Sequence, residues 1–261
     1  MRTNFISALL CLLLVACAGH EAVKPYPVAG DPQQVVADMA ATRQQATDDH
    51  KLAMYILGAN WCHDSTDFAA LLQDPSVAPM IEQRYHVQFI NVGYLQYIRE
   101  YVSLYEVPVI YTTPTVMVVD PHSNTLLNRS SLPYWGTASS RQPQDVIAYF
   151  DQFSAGTPPP ASTQASPQLQ QALKSINVYE REQAQRIYTA YAEVGVLMKA
   201  MDAGEPSEEF RKKWGNLASM RSALPQALED LRQSARQQDA QGVTDIQLQF
   251  PHYALFTDRT L

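Results

Sequence analysis

Residues 58–65 have the sequence Gly-Ala-Asn-Trp-Cys-His-Asp-Ser, and this stretch decides the fold of the chain. The chain between Lys51 and Gly58 is a short apolar run of the kind that predicts a buried β-strand. The residues that follow carry apolar side chains at helical spacing, among them Phe68 and Leu72. The pattern therefore places Cys62 between the end of a strand and the first turn of a helix.

A cysteine at the start of a helix is suited to nucleophilic chemistry. The unpaired N–H groups and the positive end of the helix dipole stabilise a thiolate, which is the form that attacks disulfides. Trp61 precedes the cysteine and is expected to cover one side of the thiol. His63 stabilises a thiolate when it is protonated, whereas Asp64 opposes it. Cys62 is therefore the candidate nucleophile.

The segment Trp61-Cys62-His63-Asp64-Ser65 resembles the W-C-x-x-C active site of the thioredoxin superfamily, with a serine in place of the second cysteine. Further along the chain, residues 113–116 (Thr-Pro-Thr-Val) resemble the cis-proline segment of that family. The resemblance covers residues 31–153 and implies a thioredoxin-like α/β fold, with a central mixed sheet flanked by helices. It also implies roles at the site: Cys62 as nucleophile, Ser65 as a hydrogen-bond donor to the thiolate, and substrate contacts from Trp61, His63, Thr113 and Pro114.

Two departures from the family pattern limit the chemistry. The second cysteine is absent, and Ile56 occupies the position at which thioredoxins carry a buried acid. A mixed disulfide at Cys62 then needs an external thiol, either glutathione as co-substrate or a protein thiol, to release it. The resemblance implies monothiol exchange or mixed-disulfide capture, as in isomerase-like relatives, and the sequence alone leaves open whether the chain is an enzyme.

Two alternatives remain open from the residues. In the first, the chain is a non-catalytic binding module, in which the peptide groove of the fold is retained and the thiol is incidental. In the second, Cys62 and His63 bind a metal with Met54, although no CxxC or HxxxH spacing supports this. We predict neither a metal nor a tightly bound cofactor.

The N-terminus has the features of an export signal. Arg2 is followed by an apolar run, residues 5–16, that is too short to span a bilayer as a helix. Residues 14–17 (Leu-Val-Ala-Cys) resemble the bacterial lipobox, which implies cleavage before Cys17 and lipidation of that residue; an ordinary cleaved signal is the alternative. Ala18 resembles a sorting signal for the outer membrane. We predict a signal peptide (1–16), a membrane tether (17–30) and a lipid-anchored protein of the cell envelope that faces the periplasm.

The cysteine count and the net charge exclude several other classes. Of the three cysteines, Cys11 leaves with the signal and Cys17 is acylated, so we expect Cys62 to be the one free thiol and no intramolecular disulfide to form. The net charge of −7 gives no basic surface for nucleic acid.

The remainder of the thioredoxin-like region, 31–153, alternates helical and strand patterns. A leading helix begins at Asp31-Pro32, and strands are predicted at 86–92 and 115–120 with a hairpin return at 125–128. A final helix is predicted over 143–153. The order β–α–β–α–β–β–α after the leading helix is typical of a sheet covered on both faces.

A Pro/Ser/Thr-rich linker (154–167) precedes a helical C-terminal region (168–261). Two helices are predicted there, one from about Pro167 to Met201 and one beginning near Ser207, with Pro225 kinking or splitting the second. Trp214 lies on an apolar stripe and is expected in the core, and Ile246 to Phe250 alternates like an edge strand. A possible role of this region is to dock an envelope protein.

Overall fold

The computed structural model describes residues 24–156, 165–205 and 207–258. The predicted signal peptide, the lipidation site at Cys17 and parts of the tether and linker lie outside the described residues. Within the described ranges, no helix is both long enough and apolar enough to cross a membrane.

A four-stranded mixed sheet forms the centre of the fold. Its strands are β1 (Leu52–Gly58), β2 (Tyr85–Asn91), β3 (Thr115–Asp120) and β4 (Thr125–Leu126), in the spatial order β2-β1-β3-β4. Strand β1 pairs parallel with β2 and antiparallel with β3, which in turn pairs antiparallel with β4. This is the thioredoxin-like arrangement, and it confirms the predicted fold class.

Five α-helices accompany the sheet: α1 (Pro32–Asp48), α2 (His63–Leu72), α3 (Ala78–Arg84), α4 (Ile98–Val102) and α5 (Pro143–Phe150). The predicted start of α1 is confirmed, because the Asp31 side chain accepts a hydrogen bond from the N–H of Gln33 at 2.7 Å. Helix α3 and the 3₁₀ segments Ser103–Tyr105 and Arg129–Ser140 were not predicted from the sequence.

Alternate residues of β1 face opposite layers of the core. Tyr55 and Leu57 pack in a cluster that also contains residues of α1, α4 and the C-terminal helices. Met54 and Ile56 pack on the other face, in a cluster with residues of α2 and α5. Because both faces of β1 are covered, its sequence is apolar throughout rather than alternating.

Two long helices follow the linker: α6 (Pro167–Asp202) and α7 (Glu208–Ala240). Both start at a serine N-cap, as Ser166 accepts from the N–H of Leu169 and Ser207 from that of Phe210, each at 3.1 Å. Helix α7 continues through Pro225, so the prediction that it splits there is wrong. Proline does remove the N–H that would otherwise bond to the carbonyl of Arg221, one turn earlier.

The edge strand predicted at residues 246–250 is also wrong, since residues 241–258 contain no strand in the structure. The backbone of this segment is hydrogen-bonded to the side-chain amide of Gln238 on α7 and not to a neighbouring strand. This amide donates to the carbonyl of Gln247 at 2.9 Å and accepts from the N–H of the same residue at 3.0 Å. The segment therefore lies against the helices rather than beside the sheet.

The C-terminal helices pack directly on the thioredoxin-like part. Buried residues of α6 and α7, including Ile187 and Leu217, belong to the same hydrophobic cluster as Tyr55 of β1. The hydroxyl of Tyr191 donates to the carbonyl of Ile110 at 2.8 Å. The two parts of the chain thus share one core, and α6 and α7 meet the segment that leads into β3.

Candidate active site around Cys62

Cys62 is the N-cap residue of α2, at the position that its sequence predicts. Its backbone is extended, with φ −99° and ψ 115°. Its carbonyl accepts hydrogen bonds from the N–H groups of Ser65 and Thr66, both at 3.1 Å. The thiol therefore stands at the positive end of a helix dipole.

Thr113 lies against the thiol, and its bond to Pro114 is cis. The Sγ–H group donates to the carbonyl oxygen of Thr113 at 3.2 Å, and the Thr113 hydroxyl donates to Sγ at 3.2 Å. The carbonyl favours the protonated thiol, whereas the hydroxyl can also donate to a thiolate. The structure thus brings together Cys62, Thr113 and Pro114 as the resemblance implied.

The neighbours of Cys62 in sequence are held in different ways. The indole N–H of Trp61 donates to the carbonyl of Gly93 at 2.8 Å, which fixes the ring beside the thiol. The His63 side chain is 78% exposed, and its Nε2 lies 3.4 Å from Oδ2 of Asp64. Asp64 also accepts from the N–H and hydroxyl of Ser139, at 2.9 and 2.8 Å. His63 is the neighbour of the thiol most open to solvent.

Ser65 does not take the role implied by the resemblance. Its side chain is fully buried, and among the described residues its hydroxyl has no hydrogen-bond partner. The side chain points towards the end of β1, because a Cβ added at Gly58 would stand 2.6 Å from the Ser65 Oγ. The hydroxyl that contacts Sγ in this structure belongs to Thr113 and not to Ser65.

A cavity of about 510 Å³ opens beside the thiol. Trp61, Cys62, His63 and Thr113 line its thioredoxin-like side. The opposite side consists of residues from α6 and α7, including Met198, Met201, Trp214 and Arg221. Its volume is within the range of small-molecule sites. The C-terminal helices therefore form half of the candidate site.

Arg221 is the buried cation of this cavity. Its side chain is 7% exposed, and its Nε donates to the carbonyl of Tyr111 at 2.8 Å. The guanidinium carbon lies 5.0 Å from the centre of the Trp214 ring and 5.4 Å from that of Tyr191. Burial raises the pKa of Tyr191, and the nearby positive charge of Arg221 opposes that rise.

Sequence reasoning missed the contribution of α7. Phe210, Trp214, Leu217, Leu224 and Leu228 define an apolar stripe with three- and four-residue steps, and Arg221 falls in the same register. An arginine in such a stripe is the signal that could have identified it. Trp214 is only partly buried and lines the cavity, so its prediction as a core residue was incomplete.

Two buried side chains of the other core layer lie away from the cavity. Trp135 is fully buried and stacks on Phe150, with ring centres 5.5 Å apart. Met54 is fully buried in the same layer and does not line the cavity of Cys62. The described residues contain no cluster of three or more histidine, cysteine, aspartate or glutamate side chains that could hold a metal ion.

The strand order, the cis-proline and the cysteine at the start of α2 together define a thioredoxin-like chain with a single cysteine at its candidate active site. No protein-family model and no curated protein matches the sequence. A solved structure, described as a disulphide isomerase from Xylella fastidiosa Temecula1, is similar at 23% sequence identity and a TM-score of 0.43. The similarity covers 49% of this chain and 94% of that chain.

Proposed function

We propose that the protein carries out monothiol thiol–disulfide exchange through Cys62. The observation that supports this most directly is the position of Sγ, at the N-terminus of α2 and 3.2 Å from both oxygens of Thr113. The thiol also borders a cavity that a small disulfide can enter. A reactive thiol needs access to its substrate, a stabilised thiolate and a surface that binds the substrate. Cys62 borders the cavity and stands at the N-terminus of α2, and Thr113 lies beside its sulfur.

The exchange needs no oxidant other than the substrate disulfide. Cys62 loses its proton to solvent, and the thiolate attacks one sulfur of a disulfide RS–SR′. A new bond joins Sγ to the sulfur of R, the RS–SR′ bond breaks, and R′S⁻ leaves with the bonding electron pair. Cys62 is thereby oxidised to a mixed disulfide, and one substrate sulfur is reduced to a thiol.

Release of the mixed disulfide requires a second thiol from outside the chain. Cys62 is the one cysteine within the described ranges, and Ser65 stands where a resolving cysteine would stand in a dithiol protein. An incoming thiolate, from glutathione or a protein thiol, attacks the mixed disulfide and returns Cys62 to the reduced state. Monothiol exchange or isomerisation is therefore proposed, rather than net oxidation by the isolated chain.

Mass spectrometry of the protein with Cys11→Ala and Cys17→Ala, in which Cys62 is the one remaining thiol, tests this proposal. Incubation with a small disulfide is expected to add one RS group to the native chain, and added thiol is expected to remove it. The Cys62→Ser variant should show no adduct. If the native protein stays unmodified while the denatured chain reacts, the exchange proposal fails and the non-catalytic binding module takes its place.

We further propose that the protein is anchored in the bacterial cell envelope through a lipid on Cys17 and faces the periplasm. The support is the lipobox-like sequence at residues 14–17, and Ala18 favours the outer membrane. Multiple acyl chains anchor firmly where one binds only marginally. Fractionation of cells should find the protein with membranes, and Cys17→Ala should move it to another fraction; an unchanged distribution contradicts the anchor.

A further inference from the structure

Arg221 is a buried charge without a counter-ion in the described part of the chain. None of the ion pairs formed by the described residues includes it. Its Nε is bonded to the Tyr111 carbonyl and the Tyr191 side chain lies beside the guanidinium, whereas its two terminal nitrogens make no hydrogen bond to a carboxylate of a described residue. Up to four N–H groups of the guanidinium therefore remain available to a ligand.

Burial of an unpaired cation is unfavourable, because the charge loses its hydration. The aromatic rings of Trp214 and Tyr191 recover part of this free energy through cation–π contacts. Neither ring accepts a hydrogen bond from the terminal nitrogens in the way that a carboxylate does. A buried guanidinium that has no carboxylate partner is well suited to bidentate recognition of the carboxylate of a ligand.

The position of Arg221 relative to the thiol is fixed by one short backbone segment. The guanidinium is bonded to the carbonyl of Tyr111, and Sγ is bonded to the carbonyl of Thr113, two residues further on. A fully extended chain covers at most roughly 3.3–3.6 Å per residue, and residues 112–114 form a bend, so with one hydrogen bond at each end the guanidinium and the thiol lie no more than about 13 Å apart. Both groups line the same cavity.

We propose that Arg221 binds the carboxylate of a small thiol or disulfide substrate while the sulfur of that substrate reacts with Cys62. This inference rests on the proposed exchange chemistry and specifies its substrate class. A peptide of no more than about three or four residues therefore spans the two groups. Short thiol peptides with a free carboxylate, of which glutathione is one, have this length and charge.

The two acidic residues of the cavity do not replace such a ligand. Asp202 accepts a hydrogen bond from the Tyr94 hydroxyl at 2.6 Å, and Asp64 is bonded to Ser139. Neither pairs with Arg221. Residues of α6 and α7 line this cavity together with Cys62, so a small substrate bound there would contact both the thiol and the C-terminal helices.

Two chromogenic disulfides test the proposal on the full-length protein with Cys11→Ala and Cys17→Ala, so that Cys62 is the one remaining thiol. Dithiobis-nitrobenzoate carries carboxylates, and dithiodipyridine has none, while both report reaction with a thiol. The measured quantity is the ratio of their rates with Cys62, which cancels changes that affect both reagents equally. In Arg221→Gln, the ratio of the anionic to the neutral reagent is expected to fall about tenfold, the effect of losing one charge-assisted hydrogen-bonded pair.

Two further variants serve as controls. Arg211→Gln makes the same change of net charge on the exposed face of α7, away from the cavity, and should leave the ratio unchanged. Arg221→Lys keeps the positive charge and should retain at least part of the preference. If Arg221→Gln unfolds, Arg221→Lys carries the test: lysine cannot bind a carboxylate in the bidentate way, so the ratio should fall part of the way, whereas Arg211→Gln should leave it unchanged.

The outcomes separate this inference from the proposed exchange. If neither reagent reacts with native protein, the exchange chemistry itself is wrong. If both react but the ratio is the same in wild type, Arg221→Gln and Arg221→Lys, the exchange proposal holds and the role of Arg221 is structural. An equal fall in Arg211→Gln would assign the effect to net charge and would also overturn the inference.

Discussion

At the scale of single residues, Thr113 acts on the thiol in two opposite directions. Its carbonyl oxygen accepts the S–H proton and so stabilises the neutral thiol, whereas its hydroxyl donates to sulfur and stabilises the thiolate. Both contacts are 3.2 Å long. We therefore expect the reactivity that we propose for Cys62 to depend on the hydroxyl of the residue that precedes Pro114.

We expect Thr113→Val to slow the reaction of Cys62 with an alkylating agent by roughly tenfold at neutral pH. The variant keeps the carbonyl, which favours the thiol, and removes the donor to the thiolate. A hydrogen bond to a charged group is worth about 1.5–3 kcal/mol, and the lower end of that range corresponds to about tenfold. Thr113→Ser should restore the rate, because it keeps the hydroxyl. An equal rate in wild type and Thr113→Val would show that the hydroxyl has no part in activation.

The residues around the sulfur could be found from the sequence only in part. Trp61, Cys62 and Pro114 belong to local motifs, so their types and spacing identify them. The identity of the thiol's hydroxyl partner could not be predicted, because it depends on whether the Ser65 side chain turns towards the sulfur or towards β1. Arg221 is distant in sequence, and its place in the site follows from how α7 packs.

At the scale of elements, the approach of α6 to the sheet depends on one glycine. A Cβ added at Gly195 would lie 2.3 Å from the carbonyl oxygen of Tyr94, a backbone atom that cannot move away easily. The helix therefore packs closely against the loop after β2. This contact helps to hold Met198, one turn further along α6, in the wall of the cavity.

The pair Gly195→Ala and Gly215→Ala should have opposite effects on the free energy of unfolding. Alanine is preferred over glycine in a helix by about 1 kcal/mol. Gly215 on α7 has open space around it, so Gly215→Ala should stabilise by about that amount. Gly195→Ala should destabilise instead, because of the clash with Tyr94. Urea unfolding of both variants measures this, and stabilisation by Gly195→Ala would contradict the close packing.

Element boundaries were predictable where the chain carries capping signals. Asp31, Ser166 and Ser207 each accept a backbone N–H, and all three helix starts are as the sequence predicts. Helix α3 begins after Val77, which supplies no side-chain cap, and it has only seven residues. The 3₁₀ segment Arg129–Ser140 contains a proline and departs from helical angles at two positions, so its pattern has no regular period.

At the scale of the whole molecule, the C-terminal segment is held across α6 and α7 by a few polar contacts. Arg186 forms an ion pair with Asp258 at 2.7 Å, and the N–H of Leu255 donates to the same carboxylate at 2.8 Å. Partial burial raises the pKa of Asp258. The hydrogen bonds and the charge of Arg186 lower it by more, so the net pKa is below the usual aspartate value.

Acidification should therefore loosen this segment. A carboxylate whose pKa is lowered by folding contributes stability above its unfolded pKa, and this contribution is lost as the pH falls through the folded value. Hydrogen exchange over residues 243–258 should be faster in Asp258→Asn than in wild type at neutral pH, and the difference should shrink below about pH 4. The exposed Asp245→Asn is the control and should match wild type at both pH values.

The shared core explains why the whole chain could be predicted less well than its first half. The thioredoxin-like topology follows from strand order and local motifs within residues 31–153. The contact between Tyr191 and Ile110, and that between Arg221 and Tyr111, join residues far apart in sequence. Such contacts leave no local pattern, so the sequence predicted two helices but not their position over the thiol.

The distribution of indole rings gives the protein a built-in optical probe. Two of its three tryptophans, Trp61 and Trp214, border the cavity from opposite walls, and Trp135 is sealed in the core. A nitrobenzoate group coupled to Cys62 should therefore quench a large part of the intrinsic fluorescence of the native protein. Trp214→Phe should reduce that quenching and Trp135→Phe should not. Formation and release of the mixed disulfide can then be followed in real time by intrinsic fluorescence.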